Sequence, residues 1–573
     1  MIGTITNILK RTGLLPILFF FLLILINIFL VKLPLTRYFS YEYAVINSTV
    51  LSFFSSLIFI NLFRKLDTDF SPKNFLGNYI KTVVLLVLIP FIIAFINSYT
   101  IQYCPFTDGI PFYLVIVLPS VIIGAGLSVI SILLTRRFTY IAVICLYILI
   151  LLIPVFEIAI NPQVYFYNPI VAYFPGNIYD EGISVDMKFF TYRLFNTLFF
   201  GGIVIVYLYF NKRIEKNKTA FLLMVSLISI TFLYISPWMG FSTTNDSIKN
   251  ELKNKIETAN VDIYYAGNYN DDYKKYLAGL HDFYYQKLVA FFNLEFSEKP
   301  LSYIFKNREE KRVLFGAGNA DVAKPWLYQI YLSDESVETT LKHELAHIFS
   351  AEFGKYYFKV ADGFNPALIE GVAMAADDTY GGYNIHYLAA VAANNGYYYK
   401  LSDLFKGFSF FAVSSGLSYV YAGSFTAFLI DKYGMQKLKV LYGNIDFISV
   451  YGKSIYELEE EYNLFLSEIE TRNSKAMANY FFGRPSLLQK ACPRYLANET
   501  NKLFILIAQK EYAASLELAN KLEELGTNYS ITIGKSLSLE KLGRVKESIE
   551  YLEKELLKYK GTAYEYNLLI RLA

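Results

Sequence analysis

Leu341-Lys342-His343-Glu344-Leu345-Ala346-His347 reads H-E-x-x-H, and it holds two of only four histidines in a chain of 573 residues. Around it the pattern is helical. Val337, Leu341, Leu345 and Ile348 recur at spacings of three and four and form one apolar stripe. Asp334 or Ser336 can cap the start, Glu335 and Glu338 suit the positive end of the dipole, and Gly354 supplies a stop. On such a helix His343 and His347 stand about 40° apart around the axis and about 6 Å along it, so both imidazoles can turn to one ion. Glu344, next to the first histidine, reaches a water held at that ion and can take its proton. The motif therefore predicts a Zn2+ site with His343 and His347 as ligands and Glu344 as general base.

A hydrolytic zinc needs a third protein ligand and an open position. Glu370, Asp377, Asp378 and His386 are the candidates downstream. Asn365-Pro366 reads as an N-cap with proline at the first helical position, opening the helix Ala367-Leu368-Ile369-Glu370-Gly371-Val372-Ala373-Met374-Ala375-Ala376-Asp377. Glu370 is the only charge in its first ten residues. A lone carboxylate on so apolar a helix is costly unless it is paired or metal-bound, which favours Glu370 as the third ligand.

The length predicts three or four units at about 150 residues each. Hydrophobic residues make up 54% of the chain, and nearly all the long apolar runs lie before residue 240. Seven of them are long enough to cross a bilayer core of about 30 Å: 14–34, 42–63, 81–100, 111–134, 138–160, 194–211 and 220–239. The first lacks a small-x-small cleavage site and reads as a retained anchor rather than a signal peptide. If the spans alternate, Lys10, Arg11, Arg64, Lys65, Lys73, Lys81, Arg136, Arg137, Lys212, Arg213, Lys216 and Lys218 share one side, against Lys32, Arg37, Lys188 and Arg193 on the other. That bias predicts a cytoplasmic N-terminus and an extracytoplasmic chain after Trp238. Charges inside the spans, the usual mark of a transport path, are nearly absent. Glu157 falls within reach of Arg193 as an interfacial pair, and Gly124-Ala125-Gly126 and Gly201-Gly202 read as close helix contacts. A net charge of +3 without a basic, aromatic-interleaved stretch excludes a nucleic-acid partner. Cys104, Cys145 and Cys492 form no C-x-x-C pair, so neither a thiolate zinc site nor a disulfide framework is indicated; a Cys104–Cys492 bridge requires both thiols in an oxidising space.

From about residue 245 the composition is that of a soluble domain. Strands are expected at 261–265, 302–305 and 326–332 and a helix at 271–292, which makes an α+β lobe leading into the H-E-x-x-H helix. His343-Glu344-x-x-His347, with Glu370-Gly371 following 23 residues later, resembles the gluzincin metallopeptidases, and in particular the peptidase MA-like domains distantly similar to thermolysin and the M1 aminopeptidases. Tyr419-Val420-Tyr421-Ala422-Gly423-Ser424-Phe425 resembles that family's helix after the zinc site, and Tyr451-Gly452-Lys453-Ser454 its closing segment. The resemblance covers about 245–470. It implies zinc on His343, His347 and Glu370, Glu344 as base, and a tyrosine for the oxyanion: Tyr419 by position, then Tyr421, with His386 as another donor. Two features depart from it. Met374 stands where thermolysin-like enzymes carry an orienting aspartate, a role left to Asp377 or Asp378. Gly316-Ala317-Gly318-Asn319 lacks the glutamate of G-x-M-E-N, which favours endopeptidase over aminopeptidase activity.

Lys510-Glu511-Tyr512-Ala513-Ala514-Ser515 and Gly543-Arg544-Val545-Lys546-Glu547-Ser548 align at an offset of 33, close to the tetratricopeptide period. The sequence thus predicts an α-helical polytopic membrane domain (1–240), an α+β zincin-like metallopeptidase domain (245–480) and a TPR-like helical tail (481–573). The expected partners are a peptide or protein substrate, the lipid bilayer, and a protein bound by the tail. A zincin-fold scaffold or receptor without turnover is the competing class. An intramembrane protease is disfavoured by Glu335, Glu338, Lys342 and Glu352 around the motif.

Overall fold

The computed structural model describes residues 14–65, 71–101, 104–176, 182–296, 298–472, 474–484, 486, 492–525 and 528–573. The basic residues Lys10 and Arg11 lie outside them. The chain divides into two compact units, Met1–Thr244 with Ala491–Glu499, and Asn245–Lys490 with Thr500–Ala573.

The first unit is built from the apolar runs. α1 (Leu15–Leu30) has 16 residues, about 24 Å at 1.5 Å each, and is shorter than a bilayer core. Six helical stretches among the described residues are long and apolar enough to cross one: α2 (Tyr41–Arg64), α3 (Pro72–Ser98), the run Phe106–Leu134 that ends in α4 (Leu118–Leu134), α5 (Thr139–Ile160), α6 (Met187–Lys216) and α7 (Lys218–Ile235). Small residues set the closest contact. Ser56 Oγ donates to Gly124 O (2.8 Å) and Ser128 Oγ to Ser56 O (2.9 Å), and a Cβ on Gly126 would lie 2.7 Å from the Phe200 ring, so α2, α4 and α6 pack where only small side chains fit. Gly202 has nothing within 4 Å of a would-be Cβ, so not every glycine in the spans marks a contact.

Arg193 overturns one expectation. Instead of pairing with Glu157 it is buried on carbonyls, with Nε on Val115 O (3.0 Å), Nη2 on Ile116 O (2.7 Å) and Nη1 on Pro169 O (2.7 Å). The reason is local. Residues Tyr113–Val117 form a π turn, which releases backbone carbonyls from the helical ladder for the guanidinium to take up. Between α5 and α6 a short hairpin, β1 (Phe166–Asn168) with β2 (Ala172–Phe174), buries Ile170 and Ala172. Cys104 and Cys492 form a disulfide across 388 residues, a bridge that the sequence reading left unindicated. Arg494 seals the same segment by donating Nε to Glu42 at 2.7 Å.

The second unit opens on a five-stranded sheet in the order β3 (Asn254–Glu257), β4 (Asp262–Tyr265), β5 (Leu301–Phe305), β7 (Gln329–Ser333), β6 (Val322–Lys324). β4, β5 and β7 are parallel, and β3 and β6 run antiparallel at the two edges. β5 and β7 are buried along almost their whole length, as central parallel strands are. Trp326, expected in the last strand, sits in a single turn (Pro325–Leu327), and Tyr328 at φ +53° redirects the chain into β7. α8 (Asp271–Phe292) connects β4 to β5 with the expected boundaries. α9 (Val337–Ser350) follows β7, and α10 (Pro366–Asp377), α11 (Ile385–Asn394), α12 (Ser415–Tyr433) and α13 (Ile455–Ser467) are the longer helices of the lobe that follows, with shorter ones such as Met435–Asn444 and Lys475–Phe482 among them. The stripe Val337, Leu341, Leu345, Ile348 is fully buried, as its spacing requires. After a helix at Pro493–Ala508 the tail continues with α14 (Tyr512–Leu525), α15 (Tyr529–Lys541), α16 (Val545–Lys558) and α17 (Ala563–Leu572), the last four being successive helices packed on one another. The 33-residue offset is visible in three dimensions: Lys510 and Gly543 both turn at positive φ, and Ser515 and Ser548 are both buried.

Candidate metal centre

Three side chains from two helices converge. His343 and His347 come from α9 and Glu370 from α10, and their ligand atoms all lie within 4.8 Å of one another. Glu370 Oε2 is 3.2 Å from His343 Nε2 and 3.5 Å from His347 Nε2. Two imidazoles and one carboxylate are the donor set a catalytic zinc takes, and the separation is that of ligands sharing one ion. Burial alone would raise the Glu370 carboxyl, but His347 and His343 outweigh it and hold the group well below its ordinary range.

α10 is placed by its own sequence. Asn365 Oδ1 accepts from Leu368 N at 3.1 Å, Pro366 fills the first turn, and Asn365 Nδ2 donates to Phe405 O at 2.6 Å. Depth is set by glycine. A Cβ on Gly371 would meet Thr426 Oγ1 at 2.6 Å and Ala422 O at 2.9 Å, so α10 lies on α12 at a distance only glycine permits. The neighbouring Gly423 receives Met374 in the same way. Met374 therefore fills the helix interface and orients nothing. Asp377, seven residues beyond Glu370 and within about 20° of it around the helix, takes that side. Burial raises its carboxyl, and His343 and then Lys342 oppose the shift. Asp378 is exposed at the C-cap, 3.7 Å from Lys342 Nζ.

Glu344 is buried at 6% exposure beside the histidines. Desolvation pushes its carboxyl up to about 8, with His343 opposing and Asp321 and Glu370 adding to the rise. Tyr419 and Tyr421 part company. They stand about 200° apart on α12. The Tyr419 ring lies 6.2 Å from that of His343, whereas Tyr421 is buried with its ring 6.4 Å from both Tyr398 and Tyr462, and its hydroxyl has no partner among the described residues. His386 bonds through Nδ1 to Ser424 Oγ (2.9 Å) and packs on Phe465, and so is accounted for by its own surroundings.

Sequence reasoning missed a buried ion pair beside Glu344. Lys311 and Asp321 pair at 0% and 3% side-chain exposure, and Thr340 Oγ1 of α9 donates to Asp321 at 2.6 Å. Lys311 sits in the polar run Arg308–Leu314, which reads as a solvated helix, so no sequence signal marked it. For Tyr419 a signal did exist. It shares a helical stripe with Gly423 and Thr426, the residues that meet α10.

No protein-family model matches the chain, and neither does any curated protein or solved structure. The molecule is thus defined by its own architecture: a unit of apolar helices, six of them among the described residues long enough to span a membrane, and an α+β unit holding a His/His/Glu group that could bind a metal ion.

Proposed function

We propose that the protein is a membrane-anchored, zinc-dependent endopeptidase of the gluzincin kind, acting on peptide or protein substrates on the extracytoplasmic side. The observation that carries this reading is the convergence of His343, His347 and Glu370 within 4.8 Å, with Glu344 buried next to them. Zinc, when bound, supplies Lewis acidity toward a water and toward the scissile carbonyl. Glu344 takes the proton of the attacking water and returns it to the leaving amine. The Tyr419 hydroxyl is the donor for the developing oxyanion. The Lys311–Asp321 pair, bonded to α9 through Thr340, keeps the helix face behind Glu344 fixed. β6 supports a peptide substrate. It is the sheet's edge among the described residues and packs against α9, so an extended chain can pair with its outer backbone groups.

The orientation rests on the distribution of Lys and Arg with α1 counted as a span. The Cys104–Cys492 bridge agrees, since it needs an oxidising compartment at the turn between α3 and α4. The paired helices α14–α17 suit a protein partner.

The test is zinc content and peptide or casein cleavage by the purified full chain, with Glu344→Gln alongside. We expect about one zinc per chain in both and cleavage only in the parent. Zinc without cleavage above the Glu344→Gln level would make the protein a non-catalytic zincin-fold scaffold, and absence of zinc would remove the reading altogether.

A further inference from the structure

A cavity of about 600 Å³ lies within the helical unit, enclosed by α4, α5, α6 and α7 and by the β1–β2 hairpin. Its wall is almost wholly apolar, from Leu127, Leu149, Phe195 and Leu233 among others, and Leu149 and Phe195 are themselves exposed at the unit's surface, so the cavity opens sideways between the helices. Along α7 it extends from Val225 to Ile235, about 15 Å at 1.5 Å per residue. That is half of a bilayer core of about 30 Å, the depth of one leaflet.

Its two ends differ. The Val225 end lies within α7, and Leu127 and Ile130 of α4 add to the apolar wall. At the other end stand Tyr167, Tyr192 and Met239, and there the Lys188 ammonium lies 5.7 Å from the centre of the Tyr167 ring and 5.3 Å from that of Tyr165. Among the described residues no carboxylate lies within 4 Å of Lys188 Nζ; the nearby Asp186 spends its carboxylate on the Phe189 N–H at 2.7 Å. A lysine on the first turn of a spanning helix places its charge at the level of the headgroups.

We propose that this cavity is a binding site for one phospholipid of the surrounding membrane, with an acyl chain between α5, α6 and α7 and the phosphate on Lys188. The inference rests on the reading that these helices span a bilayer. The volume lies within the range of small-molecule sites, about 300–1,000 Å³. The apolar wall opening toward lipid selects a hydrocarbon chain, and the Lys188 ammonium selects a phosphate, since the neighbouring Arg193 guanidinium is already taken up by the carbonyls of Val115, Ile116 and Pro169. Glu157 is close enough to Tyr165 and Tyr192 to act on them electrostatically, so the mouth is not uniformly positive. The selection is accordingly for phosphate and not for net negative charge of the headgroup.

Native mass spectrometry of the detergent-purified full chain tests this, using phosphatidylethanolamine and diacylglycerol with the same acyl chains as probes. The parent should retain about one phospholipid and prefer it to diacylglycerol about fivefold, the equivalent of about 1 kcal/mol for one basic residue at a membrane surface. Lys188→Gln should bind both probes equally, and Lys188→Arg should restore the preference. Ser229→Trp, which fills the cavity, should lose both lipids; Ser226→Leu, a smaller intrusion at another lining position, should weaken both and serves if the tryptophan variant does not fold. Retention in Ser226→Leu equal to the parent, or a phosphate preference untouched by Lys188→Gln, would overturn the proposal. Alkaline carbonate extraction separates the two readings. Release of the chain from membranes refutes the spanning helices themselves, whereas a retained chain without bound lipid refutes only this site.

Discussion

Replacing Gly371 by alanine tests how the metal centre is built. The new Cβ would sit 2.9 Å from Ala422 O and 2.6 Å from Thr426 Oγ1, while ordinary contact begins at 3.4 Å. The threonine side chain can rotate away, but the carbonyl belongs to α12 backbone, so the helices must separate by about the missing 0.5 Å. Overpacking of this kind costs about 1–3 kcal/mol, against which alanine regains up to about 1 kcal/mol of helix propensity. The larger effect falls on the next residue. Metal–ligand distances tolerate about 0.2 Å, so moving Glu370 by more than twice that should weaken zinc about 10- to 100-fold, the range seen when a ligand's support is lost. Competition with a chromophoric chelator measures the affinity, and a thermal melt of the full chain measures stability. Gly279→Ala, on α8 with nothing within 4 Å, is the matched control and should leave zinc unchanged. A Gly371→Ala protein that binds zinc as tightly as the parent would refute the claim that the α10–α12 approach sets the third ligand.

His281, buried between Leu277 O and Ser302 Oγ, has its imidazole pushed down by burial to about 4 from 6.5. The unfolded chain therefore binds the extra proton between those values, so stability is full above pH 6.5 and falls as pH drops toward 4. The limit is about 3 kcal/mol. Hydrogen-exchange protection of the α8 and β5 amides from pH 4.5 to 7.5 should show that slope in the parent and lose it in His281→Asn. Asp321→Asn leaves Lys311 buried without its counter-charge and should cost about 3–5 kcal/mol, while the double change Lys311→Met with Asp321→Leu should cost much less; equal losses in melts of the two proteins would dismiss the pair. Tyr421→Phe removes a buried hydroxyl that has no partner among the described residues and should be neutral or stabilising by up to about 1 kcal/mol. Tyr419→Phe should keep zinc and lose turnover, and a reversal of the two phenotypes would move the oxyanion donor to Tyr421.

Much of this protein is local and was readable from sequence. Helical period put Val337, Leu341, Leu345 and Ile348 on the inner side of α9 and both histidines on another. The Asn365-Pro366 start located α10, and runs of apolar residues located the long helices, because each of these signals is carried by residues a few positions apart along one element. What the tertiary structure decided involves pairs far apart in sequence. It put Arg193 on the carbonyls of Val115, Ile116 and Pro169 rather than on Glu157, joined Cys104 to Cys492, and closed the Lys311–Asp321 pair, itself only ten residues apart, against Thr340 of α9. The short edge strands β3 and β6 were invisible for a different reason: although each pairs with the strand next to it in the chain, three or four residues have too little pattern until a neighbour supplies hydrogen bonds. Tyr419 and Tyr421 mark the boundary. Sequence put both on one helix about 200° apart and ranked Tyr419 first by position, and the glycine contacts between α10 and α12, which fix the rotation of that helix, set Tyr419 beside His343 and Tyr421 in the core.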